Sequence, residues 1–140
     1  MNFIEEYMKE INEGNIIVGK KVKKIYEKLL KESNDKSLPF YFDEEKGSRP
    51  IEFIETFCKQ AEGEIGKPIK LELFQKAYIQ ALFGFVYRDT GLRRFNETMF
   101  LVGRKNGKTT LLSAIALYMM IADGEGSAEC YSVATKKDQA

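Results

Sequence analysis

The segment Val102-Gly103-Arg104-Lys105-Asn106-Gly107-Lys108-Thr109 concentrates the residue types that grip a phosphate group. Gly107 lets the main chain turn tightly, so that successive amide N–H groups converge on one anion. A helix opening just after it would aim its unpaired first-turn N–H groups and its positive end at the same place. The Lys108 ammonium would supply positive charge to the β- and γ-phosphates, and the Thr109 hydroxyl would be a ligand for Mg²⁺. Thr110 follows in the same turn and joins the expected nucleotide-binding set, with Gly103, Lys105 and Asn106 lining the loop.

The spacing departs from the usual phosphate-loop (P-loop) pattern, in which a glycine stands four residues before the Gly-Lys-Thr step. Here that position is Val102, and the glycine comes one place later, at Gly103. Arg104 and Lys105 add cations inside the loop. At Arg104 such a charge can lie near the γ-phosphate and stabilise charge that develops during transfer, which makes Arg104, with Lys108, a candidate catalytic residue. Two plainer readings stand beside these: an ordinary glycine turn, and loop cations that simply face solvent.

A phosphate loop needs a strand leading in and a helix leading out. Met99-Phe100-Leu101-Val102 is a continuous apolar run bounded by a glycine, which predicts a strand over Glu97–Val102 buried on both faces of a parallel sheet. Thr109 to Ala122 predicts a helix, and Glu129 to Thr135 a second strand. Upstream, three- and four-residue apolar spacing predicts helices over 2–13, over about 18–32 and from about Glu72 to Phe85. Ser48 followed by Pro50 predicts the start of another helix, as cap and first-turn proline. Phe40-Tyr41-Phe42 reads as a short extended run, and residues 63–68 as a loop.

The order of elements predicts an α/β protein. An N-terminal helical segment is followed by the start of a P-loop NTPase parallel sheet, one βαβ unit, which reads as truncated because a two-stranded sheet cannot bury both faces. The expected division is a helical region over 1–70 and an incomplete first part of a P-loop ATPase domain over 71–140.

Composition narrows the classes. Hydrophobic residues make up 44% of the 140 and charged residues 31%, which fits a globular rather than a disordered chain. A net charge of +1 excludes a uniformly basic nucleic-acid coat but not a local basic patch. The run Lys20, Lys21, Lys23, Lys24 and Lys28 reads as a solvated helix face that could touch phosphates. With two cysteines at unrelated positions and no histidine, a zinc site is not expected. Neither a signal peptide nor a membrane span is legible, so the expected setting is cytoplasmic and not membrane-bound.

The string from Phe100 to Ala122, with its Gly-Arg-Lys-Asn-Gly-Lys-Thr loop, resembles the large subunit of tailed-phage terminases. Ala134-Thr135-Lys136-Lys137-Asp138-Gln139-Ala140 is similar to the segment after the second strand in that family. Leu73-Phe74-Gln75 with Leu82-Phe83-Gly84 is similar to its adenine-recognition element, and the N-terminal helices with Tyr41-Phe42-Asp43 are also similar. The resemblance implies an ATP-driven motor that packages viral DNA into capsids and cuts it with a separate nuclease domain. It implies ATP and Mg²⁺ as cofactors, Lys108 and Thr109 on phosphate and metal, Arg104 as an in-cis arginine, and Gln75 on the adenine edge. Implied partners are double-stranded DNA, the portal protein and the small terminase subunit, in a homo-oligomeric ring inside the bacterial host cell.

Hydrolysis also needs a carboxylate to help place Mg²⁺ and a glutamate to orient water. Neither is expected after Thr135, so the chain alone is expected to bind nucleotide weakly without turnover. A helicase-type P-loop ATPase, or a non-catalytic remnant acting as an assembly module, are the alternatives that the same residues leave open.

Overall fold

The computed structural model describes residues 1–60, 65–103, 105–124 and 128–133. In chain order these form α1 (Phe3–Glu13), α2 (Lys20–Asn34), β1 (Phe40–Phe42), α3 (Glu44–Phe57), α4 (Leu73–Gly84), β2 (Phe85–Tyr87) and α5 (Lys108–Ile121). None of these helices is long and apolar enough to cross a membrane.

The N-terminal helices form as their spacing predicts. The Asn2 side chain caps α1 by accepting from the Glu5 N–H, and Gly14 ends it at a left-handed φ of 81°. Its apolar stripe, Ile4, Tyr7, Met8 and Ile11, is buried. Tyr26 and Leu29 of α2 meet that stripe, with the Tyr7 and Tyr26 rings edge to face at 5.1 Å. Burial pushes both hydroxyl pKa values up.

Helix α4 is the element around which the others assemble. Its N-terminus is closed by a capping box in which the Glu72 and Gln75 side chains serve each other's backbone N–H groups. It buries residues on most of its circumference, including Ala77, Ile79, Gln80, Ala81 and Phe83, as a helix surrounded by packing partners must. Ala77 and Ala81 join a core under α1, α2, β1 and β2, while Ile79 and Phe83 join a second core with Ile51 and Ile54 of α3 and Leu111, Ile115 and Tyr118 of α5.

Two glycines set how closely the chain can approach α4. A Cβ on Gly47 of α3 would lie 2.8 Å from Gln80 Cγ, and one on Gly84 would lie 2.6 Å from Cε2 of the Phe42 ring. The start of α3 differs from the expectation at Ser48 and Pro50. Asp43 is the cap, its Oδ1 accepting from the Lys46 N–H at 3.0 Å, and Glu44 and Glu45 give the first turn the acidic residues that suit a helix dipole. Pro50 lies inside the helix, and the Ser48 hydroxyl accepts from Gln80 Nε2 at 3.1 Å.

The sheet expectation is overturned. The strands are β1 and β2, paired antiparallel in the register Phe40 to Tyr87, Tyr41 to Val86 and Phe42 to Phe85. No parallel βαβ unit forms among the described residues. Residues 97–102 join no ladder, and Met99 and Leu101 are 87% and 89% exposed. The described part of the second expected strand is equally unpaired, with Tyr131 and Val133 exposed. The physical reason is that an apolar run becomes a strand only when a neighbour satisfies its backbone groups, and two parallel strands alone leave both faces bare. The chain is therefore a helical assembly with a short antiparallel pair.

Gln80 is fully buried and its amide makes four hydrogen bonds. Oε1 accepts from the N–H groups of Phe3 (2.7 Å) and Ile4 (3.4 Å), and Nε2 donates to the Met1 carbonyl (2.9 Å) and the Ser48 hydroxyl (3.1 Å). Gln80→Leu keeps the volume but strands these partners, and is expected to cost about 2–4 kcal/mol. A urea midpoint within error of the native protein's would contradict that role.

Candidate functional site

The loop before α5 is shaped by two left-handed residues, Lys105 at φ 63° and Gly107 at φ 66°. Gly107 is the N-cap of α5 and no side chain caps that end, which leaves the first-turn N–H groups without a side-chain partner. Lys105, Asn106, Gly107, Lys108, Thr109 and Thr110 are all exposed, as is Gly103. Arg104 lies outside the described residues. The body of α5 is fixed by Leu111, Ala114, Ile115 and Tyr118 in the second core, which holds the loop at a defined place on the surface.

Two side-chain amides fasten the loop. Asn106 Nδ2 donates to the Gly103 carbonyl at 3.2 Å, which closes the turn. Gln75 Nε2 donates to the Asn106 carbonyl at 3.4 Å while its Oε1 accepts from the Glu72 N–H at 2.9 Å. Gln75 is only 8% exposed, so it stands between the start of α4 and the loop. Space is tight on the same side: a Cβ at Gly107 would lie 3.3 Å from Gln75 Nε2, and one at Gly103 would lie 3.3 Å from Asn106 Nδ2. Side chains at these two glycines would crowd the amides of Gln75 and Asn106.

The segment leading into the loop runs along α4. The Phe100 ring packs on Tyr78 at 4.5 Å, and the Tyr78 hydroxyl and Thr98 Oγ1 are 3.0 Å apart. A cleft of about 330 Å³ opens beside the loop, lined among others by Tyr7, Ile16, Ile17, Phe74, Gly103 and Asn106. The structure therefore brings Gln75, Gly103, Asn106 and Gly107 together, and places Lys108, Thr109 and Thr110 on the adjoining exposed turn. Sequence reasoning missed the cleft walls from the α1–α2 connection and the role of Asn106. The Glu72-x-x-Gln75 capping pattern was the signal that Gln75 belongs to a helix start.

The two arginines before the loop are struts. Arg93 pairs with Asp123 at 2.7 Å and lies over the Phe83 ring. Arg94 pairs with Glu32 of α2 at 2.6 Å and stacks over Phe40 with its guanidinium carbon 3.7 Å from the ring centroid. Both guanidiniums are thus engaged in ion pairs within the chain. Of the thiols, Cys58 is buried, which raises its pKa, and Cys130 is exposed.

The Arg94 hydrogen bond holds the Glu32 carboxyl below its ordinary pKa of 4.5. A depressed carboxylate pKa contributes stability that is present above the unfolded value and lost as pH falls through the folded one. Arg94→Met should therefore lower the urea midpoint at neutral pH, and its deficit should shrink as the pH drops below that ordinary value. An equal deficit at every pH would show that the ring stacking, not the ion pair, carries the effect.

Residues 73–140 match the family model described as "Terminase large subunit, ATPase domain". Over 97 residues, 68% of this chain, the sequence is 34% identical to a protein of Enterobacteria phage HK97 named "Terminase, large subunit", and that stretch spans 18% of the relative's length. No solved structure matches the chain significantly.

Proposed function

We propose a function from the premise that this chain belongs, through residues 73–140, to the terminase large-subunit ATPase family. It is a nucleotide-binding part of a motor that uses ATP to package viral DNA into capsids. The observation that carries this is the uncapped N-terminus of α5 at a left-handed Gly107, with Lys108 as the first helical residue and both exposed.

The chemistry of the donor set fits a polyphosphate. The main chain at Gly103, Lys105, Asn106 and Gly107 and the first-turn amides of α5 up to Thr110 offer N–H groups to phosphate oxygens. The Lys108 ammonium neutralises charge on the β- and γ-phosphates, and the Thr109 hydroxyl is the group that would hold Mg²⁺. Arg104, outside the described residues, is assigned from the sequence as the cation that stabilises the γ-phosphate. When bound, ATP with Mg²⁺ supplies the phosphoanhydride free energy that drives the motor.

The cleft beside the loop takes the base, with Phe74 and Tyr7 as apolar and aromatic walls. Gln75, whose chain neighbour Phe74 lines that cleft, is assigned from the sequence to the adenine edge, for which its amide keeps one N–H and one lone pair beyond its bonds to the Asn106 carbonyl and the Glu72 N–H. Hydrolysis needs a further carboxylate and a water-orienting glutamate, and no residue described here is assigned to those roles. At the level of the whole motor, double-stranded DNA, the portal protein and the small terminase subunit are the partners. A homo-oligomeric ring in the bacterial cytoplasm is its working form. Residues 1–70 are the helical region that buttresses this site, and 71–140 carry it.

Isothermal titration with ATP and Mg²⁺ tests the site. Lys108→Ala should weaken binding at least about tenfold, about 1.4 kcal/mol, and unchanged binding would remove the phosphate assignment. Gln75→Ala should weaken ATP more than GTP, and equal losses for the two would count against the adenine role.

A further inference from the structure

We infer that the outer face of α2 is a docking strip for the phosphodiester backbone of duplex DNA. Lys20, Lys21, Lys24, Lys28 and Lys31 are all exposed. At about 100° per residue they fall within one arc of about 100°, opposite Tyr26 and Leu29, which are buried. Helix α2 carries six lysines against two glutamates, although the whole chain has a net charge of only +1. Glu27, half-buried, and Glu32 flank the arc at its two edges, and Glu32 is held by Arg94 at 2.6 Å, with Lys28 at 3.7 Å. Among the described residues, Lys20, Lys21, Lys24 and Lys31 have no carboxylate within salt-bridge distance.

Their placement opposes what the helix itself favours. Lys20, Lys21, Lys23 and Lys24 crowd the positive end of α2, where Gly19 gives no side-chain cap and no acidic residue occupies the first turn. Cations there oppose the helix dipole, and like charges three and four residues apart repel. Helices α1 and α3 are built the other way, with Glu5 and Glu6, and Glu44 and Glu45, in their first turns. A polyanion laid along the strip relieves both penalties. The lysines extend over about 16 Å of helix, which suits a row of phosphates better than a single anion. An anionic membrane fits less well, because the apolar face of α2 is turned into the core and only Val22 and Ile25 are left at its margin.

This deepens the function proposed above by giving the DNA partner a surface, and rests on that reading for the partner's identity but not on the phosphate loop. The test is fluorescence anisotropy of a labelled DNA duplex with the whole chain, without nucleotide or Mg²⁺. That omission keeps it separate from the Lys108 experiment. Replacing Lys20, Lys21, Lys24 and Lys31 together by Gln should weaken binding at least about tenfold and reduce the slope of log Kd against log salt by about 3. A control with Lys9, Lys36, Lys59 and Lys70 replaced by Gln, also exposed and of equal charge change, should lose far less. Circular dichroism checks that helix content is kept, and the double variant Lys24→Glu, Lys31→Glu stands in if the fourfold one unfolds. Equal losses in strip and control variants overturn the proposal. So does a native chain that shows no salt-dependent binding, or strip-dependent binding to phosphatidylglycerol vesicles that matches or exceeds binding to the duplex.

Discussion

The amide of Gln80 has to be satisfied where it lies, with no access to water, and that requirement organises the first half of the chain. Its oxygen holds the first N–H groups of α1 and its nitrogen reaches Met1 and Ser48, so one side chain of α4 fixes α1 and α3 at once. A half-satisfied buried amide would cost more than an apolar side chain in the same place. The close approach that brings these groups together depends on Gly47, which leaves the room that Gln80 occupies. The positions of α1, α3 and α4 are therefore coupled before the two hydrophobic cores are counted.

Much of this helical frame was legible in the sequence. The stripes of α1, α2, α4 and α5 are periodic, and their observed bounds differ from the expected ones by a residue or two. What failed were inferences about partners. Glu97–Val102 has the apolar continuity of a buried strand, but nothing in its own residues says that a neighbour will be present, and it lies along α4 instead. In the sequence Phe85 reads as the end of a helix and Val86-Tyr87 belongs to no element, because only the return of the chain to Phe40–Phe42 makes these residues a strand. Pro50 looked like a first-turn residue, yet the stronger cap, Asp43 with two glutamates behind it, lies seven residues earlier.

The candidate site shows the same division. Gly107 and Lys108 were visible from type and spacing, and the left-handed cap at Gly107 follows from them. The buried position of Gln75 and its bond to the Asn106 carbonyl were not, since they join residues 31 apart in the chain. The ion pairs of Arg93 and Arg94 were equally hidden, because their carboxylates, Asp123 and Glu32, are distant in sequence. Charge density in a sequence identifies neither a strut nor a docking surface until it is known which of the charges are already answered.

Gln75 and Gln80 stand on one rigid helix about 7.5 Å apart along its axis. The first touches the loop before α5 and the second grips the beginning of the chain. Helix α4 therefore ties the loop before α5 to the first turn of α1 through two side-chain amides.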